Sequence, residues 1–178
     1  MNKIIIDSRE TSDLSEFIIS EASKLNILSE KKWLEIGDYV YQDVCFEAKS
    51  TIDFLQSVLN GRLWNQVDNM DRHYEYSIVI IHGSLHQVMA YPKYVNLDIN
   101  ERLLTHKFYG AIGRPTLDTD CKVFWVESAQ KAAKIVTTIC KMRPVKRSVI
   151  QPTLLKRITT DDLRLDMLCT IKGVSKSK

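Results

Sequence analysis

No apolar run in the 178-residue chain approaches the roughly 20 residues needed to cross a bilayer. Met1 leads directly into Ile4-Ile5-Ile6, without the charged start and cleavage site of a signal peptide. Neither a membrane protein nor an exported one is expected; the expected location is intracellular, in the cytoplasm (nucleoid) of a prokaryote or virus, or the nucleus of a eukaryote. The four cysteines, Cys45, Cys121, Cys140 and Cys169, form no Cys-x-x-Cys pair. That argues against a zinc site and a disulfide framework, and leaves reduced, mostly buried thiols. Internal repeats and low-complexity tracts are also missing. With 44% hydrophobic and 26% charged residues, the chain is neither disordered nor membrane-bound, and is long enough for one full core plus an appendage.

Charge is unevenly spread. Residues 141–178 hold ten Lys/Arg against three Asp/Glu, net +7, so residues 1–140 carry −4 of the total +3. A mildly acidic body with a basic tail suggests a polyanionic partner, or simply a solvated linker.

Lys3–Ile6 reads as a buried strand. Asp13 with Glu16 reads as a capping box opening a helix whose Leu14, Phe17, Ile18, Ala22 and Leu25 share one face. Three strands are expected next, Ile27–Leu34, Asp38–Tyr41 after a turn at Gly37, and Val44–Lys49 after the tight Gln42-Asp43 connection, implying an antiparallel portion. Ser50 is placed as an N-cap with Asp53 three residues on, Gly61 stops that helix, and a second helix runs from Arg62 to about Arg72. Ser77–Ile81 is a central-strand candidate, Asn96–Tyr109 a helix, Lys122–Val126 a strand and Ser128–Lys141 a helix with Ala132, Ile135, Val136 and Ile139 inward. Pro144 and Pro152 bracket a Lys/Arg-rich stretch that cannot run as one helix, which places a basic linker at 142–158. From 159 to 178, Thr160 caps a short helix, and Ile171-Lys172-Gly173-Val174-Ser175 reads as a turn after which a truncated module ends.

The chemistry concentrates in Gly37-Asp38, Glu47-Ala48-Lys49 and Asp53. On a strand, Glu47 and Lys49 point one way and Ala48 the other, and a hairpin lets Asp38 meet Glu47. Two carboxylates beside an ammonium suit phosphodiester cleavage: hard oxygens hold Mg²⁺ or Mn²⁺, and the lysine orients water or steadies the pentavalent phosphate. A cross-strand ion pair on an ordinary surface explains the same residues, and Asp53 has a second reading as the third residue of a capping box.

In order, Ile4-Ile5-Ile6-Asp7-Ser8-Arg9-Glu10, Gly37-Asp38, Glu47-Ala48-Lys49-Ser50-Thr51-Ile52-Asp53 and Ser57-Val58-Leu59-Asn60-Gly61-Arg62-Leu63-Trp64-Asn65-Gln66 resemble the signature of the XPF/Hef family of structure-specific DNA endonucleases. The resemblance continues through Tyr109-Gly110-Ala111-Ile112 and residues 123–140. It implies, over residues 1–141, that family's restriction-endonuclease-like (PD-(D/E)XK type) α/β fold, a central mixed sheet flanked by helices. It implies metal-site roles for Asp7, Asp38 and Glu47, a catalytic role for Lys49, and supporting roles for Arg9, Glu10, Asp53, Arg62 and Gln66. The activity implied is metal-dependent cutting of branched DNA (3′ flap, fork or related junction) near the single-strand/double-strand boundary in repair or replication. A homodimer, or a heterodimer with a related subunit, is implied as well; a sliding clamp or helicase as recruiting partner stays open. The segment from Leu163 through Ser175 is similar to the start of the family's helix-hairpin-helix module, with Lys172, Lys176 and Lys178 as its DNA contacts; Ser175 replaces the usual second glycine. Ala48 departs from the family, which usually has arginine there. That departure admits an alternative reading as a catalytically weak or inactive DNA-binding scaffold subunit of a heterodimeric nuclease.

Overall fold

The computed structural model describes residues 3–90 and 101–142. The chain divides into two units, Met1–Met142 and Arg143–Lys178. The expected linker beyond Met142 and the expected hairpin module at 159–178, with Lys172, Lys176 and Lys178, lie outside the described residues.

Six strands, β1 (Lys3–Asp7), β2 (Leu28–Lys32), β3 (Tyr39–Tyr41), β4 (Val44–Ser50), β5 (Tyr76–His82) and β6 (Lys122–Val126), form one mixed sheet ordered β2-β1-β3-β4-β5-β6. Alternation along the strands sorts side chains into two layers. Ile4, Ile6, Tyr39, Phe46, Ile78 and Ile80 pack with α1 (Asp13–Lys24) and α6 (Ala129–Lys141) on one face. Val79 and Ile81 pack on the other with Phe54 of α2 (Thr51–Leu59), Leu63 and Val67 of α3 (Arg62–His73) and Phe108 of α5 (Glu101–Asp118). A short α4 (Leu85–Met89) follows β5. Each fully buried side chain of this size contributes about 1.5–3 kcal/mol, so the two layers hold the sheet rigid under whatever its ends carry.

The turn into β3 requires a glycine. Gly37 has φ +79°, and a Cβ there would stand 2.3 Å from Cys45 Sγ and 3.2 Å from the Phe46 carbonyl oxygen. Gly37→Ala is expected to cost about 1–3 kcal/mol of backbone strain plus the clash, seen as a lowered urea midpoint. Gly61→Ala, at φ +76° but with nothing within 4 Å, is expected to cost only the strain of about 1–2 kcal/mol.

Four expectations are corrected. The strand at Ile27–Leu34 is shorter, Leu28–Lys32, and lies parallel to β1 on the sheet edge with every residue exposed; α1 is a crossover that brings the chain back in the same direction. The antiparallel portion is therefore β1-β3-β4. At the start of α1, the N-cap is Ser12, without a side-chain cap bond, and Asp13 lies in the first turn rather than acting as the cap. The helix expected to end at Tyr109 continues through Gly110, Gly113 and Pro115 to Asp118; residues 96–100 of the expectation lie outside the described residues. Leu104, Phe108, Ala111 and Pro115, spaced four, three and four apart, are all buried. Their common stripe outweighs the helix-breaking tendency of glycine and proline.

Candidate active site

The register of the antiparallel strands builds the site. Ile6 pairs with Tyr39 and Tyr39 with Phe46. Continued by one residue, that register sets Asp7 beside Asp38 and Asp38 beside Glu47, on the face covered by α2 and α3. The backbone fixes this row: Asp7 donates its N–H to the Asp38 carbonyl (2.8 Å), and Asp38 donates its own to the Phe46 carbonyl (2.9 Å). The Asp38 carboxylate accepts the Ala48 N–H at 2.8 Å. Ala48 meets the row only through that N–H; its methyl group packs against the opposite layer.

Glu47 and Lys49 point the same way, as the two-residue period requires. Lys49 Nζ donates to Glu47 Oε1 at 2.7 Å and stands 3.5 Å from the Asp53 carboxylate, with Glu47 and Lys49 each only 4% exposed. Charges buried to this degree persist only when paired. From α3, Gln66 Nε2 donates to the same Glu47 oxygen at 2.6 Å. Since a carboxylate only accepts, this bond fixes the amide's orientation. Gln66 Oε1, on its other side, is buried without a hydrogen-bond partner among the described residues.

Asp38 and Asp7 differ sharply. Burial, and then the neighbouring Glu47 charge, push the Asp38 carboxyl up from 3.8 to about 7. The Arg9 side chain holds the Asp7 carboxyl below its ordinary value. Arg9 donates through Nε (2.9 Å) and Nη2 (2.5 Å) to Asp7 Oδ2, through its backbone N–H (3.1 Å) to Oδ1, and through Nη2 to the Leu34 carbonyl (2.6 Å).

Asp7, Arg9, Asp38, Glu47 and Gln66 thus line one cavity of about 220 Å³, together with Glu35, Ile36, Gly37 and Asn69. Lys49 lies beside Glu47, and Arg62 holds Asp53 at 2.8 Å. Ser50 Oγ accepts the Asp53 N–H at 3.1 Å, so Ser50 caps α2 as expected, while the Asp53 carboxylate serves Lys49 and Arg62. Glu10 does not line the cavity: its carboxylate accepts the Ser12 N–H at 2.8 Å, while its charge adds to those opposing ionisation of Asp38. The sequence reading missed Glu35 and Asn69. Asn69 was accessible, one helical turn from Gln66; Glu35 carried no signal beyond its place before Gly37-Asp38. Cys45, Cys121 and Cys140 are unbridged and buried, and burial pushes the Cys121 and Cys140 thiols up to about 12, so they offer no thiolate nucleophile.

Among the described residues no group of three or more His, Cys, Asp or Glu is arranged to hold a metal ion; Asp7 is turned to Arg9. The pair Asp38 and Glu47 nevertheless fits a hard cation. Both carboxylates face the same cavity, their mutual repulsion is relieved by positive charge, and the orphaned Gln66 oxygen can accept from a coordinated water.

A model of the ERCC4 domain matches residues 6–139. The chain is 27% identical over 140 residues to the DNA repair endonuclease UVH1 of Arabidopsis thaliana, covering 77% of this chain and 14% of that protein. It is 25% identical over 143 residues to the 3′-flap repair endonuclease Xpf of Saccharolobus solfataricus, covering 78% and 54%. The chain therefore spans about a seventh of the first relative and about half of the second. Among solved structures, XPF from Aeropyrum pernix superposes with a TM-score of 0.65 at 22% identity, over 97% of this chain and 77% of that one. Its complex with DNA gives 0.63 at 20%, over 98% and 76%. The six-stranded sheet with flanking helices is thus the expected restriction-endonuclease-like fold.

Proposed function

The chain belongs to the ERCC4-domain family, and from that premise we propose that it is a structure-specific DNA endonuclease, cutting one strand of branched DNA near the single-strand/double-strand boundary. The observation that carries the reading is the row Asp7–Asp38–Glu47 with Lys49 buried against Glu47. A structural ion pair would need neither the second carboxylate nor the open cavity above it. The name of the Saccharolobus relative supports a 3′ flap as substrate, with forks and related junctions in the same class, and the DNA-bound Aeropyrum structure supports DNA as the ligand.

Asp38 and Glu47, with Asp7 beside them, are the residues that would hold Mg²⁺ or Mn²⁺. The bound ion would supply positive charge for the phosphate oxygens and make water more acidic. The protein's own groups do the positioning. Gln66 fixes the rotamer of Glu47, and its free oxygen can accept a hydrogen bond from a water in the cavity. Lys49, held by Glu47 and Asp53, keeps an ammonium where negative charge builds on the phosphate. Arg9, clamped by Asp7, presents a guanidinium at the rim for phosphate.

Exposed Leu103, Tyr109 and Leu117 on α5, with Trp125 of β6 against Tyr109, offer an apolar surface that supports a homodimer, or a heterodimer with a related subunit. The basic residues beyond Arg143, including Lys172, Lys176 and Lys178, are proposed to hold phosphates without reading bases.

The test uses end-labelled flap, fork and linear DNA with Mg²⁺ or Mn²⁺, beside Asp38→Ala and Ala48→Arg. Branch-dependent, Asp38-dependent cutting is the expected result, with DNA affinity falling steeply as salt rises. The second reading, a scaffold subunit positioning an active partner, rests on Ala48. It gains if neither the parent nor Ala48→Arg cuts while both bind branched DNA. Cutting by Ala48→Arg alone would show that residue 48 disables an intact site. Cleavage of linear duplex regardless of branching would point instead to a restriction-type enzyme.

A further inference from the structure

We propose that Trp33, held by Arg9, is a stacking subsite for one unpaired nucleobase of the DNA strand entering the carboxylate cavity, an inference that rests on the nuclease reading above. Trp33 is the residue before Leu34, whose carbonyl Arg9 grips, and two before Glu35, where the cavity wall begins. The Arg9 guanidinium lies over its ring, 5.6 Å from the centroid. Arg9 is immobilised by Asp7 and Leu34, so the indole is anchored to the same framework that fixes the carboxylate row.

The indole is nevertheless 60% exposed. Trp33 therefore leaves much of the largest apolar side chain in water, beside the Arg9 that lines the polar cavity and lies over its ring. A nucleobase supplies the missing partner. In duplex DNA both faces of a base are covered by its neighbours, whereas an unpaired base presents a free π-face to an aromatic side chain. The adjacent guanidinium adds attraction for the base and for its phosphate. Stacking on Trp33 would thus be available only on the unpaired side of a junction, and would set the boundary's distance from Asp38 and Glu47. This gives the cavity a means of reading strand separation without reading sequence.

The experiment places 2-aminopurine at successive positions across a fork or flap and follows its fluorescence on binding the full chain in EDTA, where cutting cannot intervene. Quenching is expected at one position on the unpaired strand. Trp33→Ala is expected to abolish it and weaken fork binding roughly tenfold, leaving blunt-duplex binding and thermal midpoint unchanged, while Trp33→Phe keeps most of the signal. With Mg²⁺, Trp33→Ala should raise KM more than it lowers kcat and scatter the cut positions. Fork binding and quenching that survive Trp33→Ala, or equal losses on fork and duplex, overturn the subsite. Cutting by the parent without any Trp33-dependent quenching overturns the subsite alone. Trp33-dependent quenching in a parent that never cuts supports the subsite and overturns the nuclease reading alone.

Discussion

Asp38→Asn is expected to abolish cleavage while making the metal-free protein more stable at pH 8. The loss of activity follows from removing one of the two carboxylates facing the cavity; loss of a preorganised electrostatic group at a reacting centre costs on the order of 10²–10³-fold in rate. The gain in stability follows from the sign of the acidity shift. Asp38 titrates in the fold at about 7 rather than 3.8, because burial and the Glu47 charge oppose its ionisation. A group with a raised folded value favours the fold when protonated. Its contribution is fully present below about pH 4 and is lost as pH rises through about 7. Asparagine keeps an oxygen to accept the Ala48 N–H, now made by Asp38 Oδ2 at 2.8 Å, and never ionises. Urea unfolding in EDTA at pH 5, 6, 7 and 8 should therefore show the parent losing stability along the series relative to Asp38→Asn. Added Mg²⁺ should then stabilise the parent at pH 8 and leave the variant unmoved. Parallel pH profiles would contradict the burial and repulsion inferred at Asp38, and equal cutting would remove Asp38 from the site.

The second large effect is an asymmetry between the partners of the buried ion pair. Lys49→Met is expected to destabilise by about 3–5 kcal/mol, because breaking a buried pair leaves an uncompensated charge. Here it leaves Glu47, 4% exposed, next to the equally repelled Asp38. Glu47→Gln should cost clearly less. Lys49 keeps the Asp53 carboxylate at 3.5 Å, the new amide oxygen can still accept from Gln66 Nε2, and Asp38 loses the charge that opposes it. Both variants are expected to lose cleavage, so activity cannot separate them; denaturant midpoints can. Equal destabilisation would mean that Asp53, 43% exposed at its side chain, is too well solvated to hold Lys49 in place.

These two effects depend on groups that the sequence placed differently well. The alternation of Glu47, Ala48 and Lys49 was legible because a strand's period is two, and the capping role of Ser50 because a polar side chain beside an apolar stripe has few other uses. The extension of α5 to Asp118 was not: its stripe runs through Pro115, and only the tertiary burial of Leu104, Phe108, Ala111 and Pro115 shows that the helix continues. The edge strand β2 gave a similarly poor signal, since all five residues are exposed and no face is selected.

What the sequence by itself determined is the set of chemical groups and their local geometry: an acid after Gly37, Glu47 and Lys49 on one face, helices opening at Ser50 and after Gly61. Local periodicity and turn stereochemistry are properties of neighbouring residues, so they can be read along the chain. The hairpin that lets Asp38 meet Glu47 is local in the same sense. Only the tertiary structure decided which groups from more distant segments join them: the register of β1 on β3 sets Asp7 beside Asp38. The packing of α3 brings Gln66 to Glu47, and Arg9 binds the Asp7 carboxylate at the end of the row. Strand pairing and burial join residues far apart in sequence, and it is burial that turns Asp38 from an ordinary acid into one poised near neutrality.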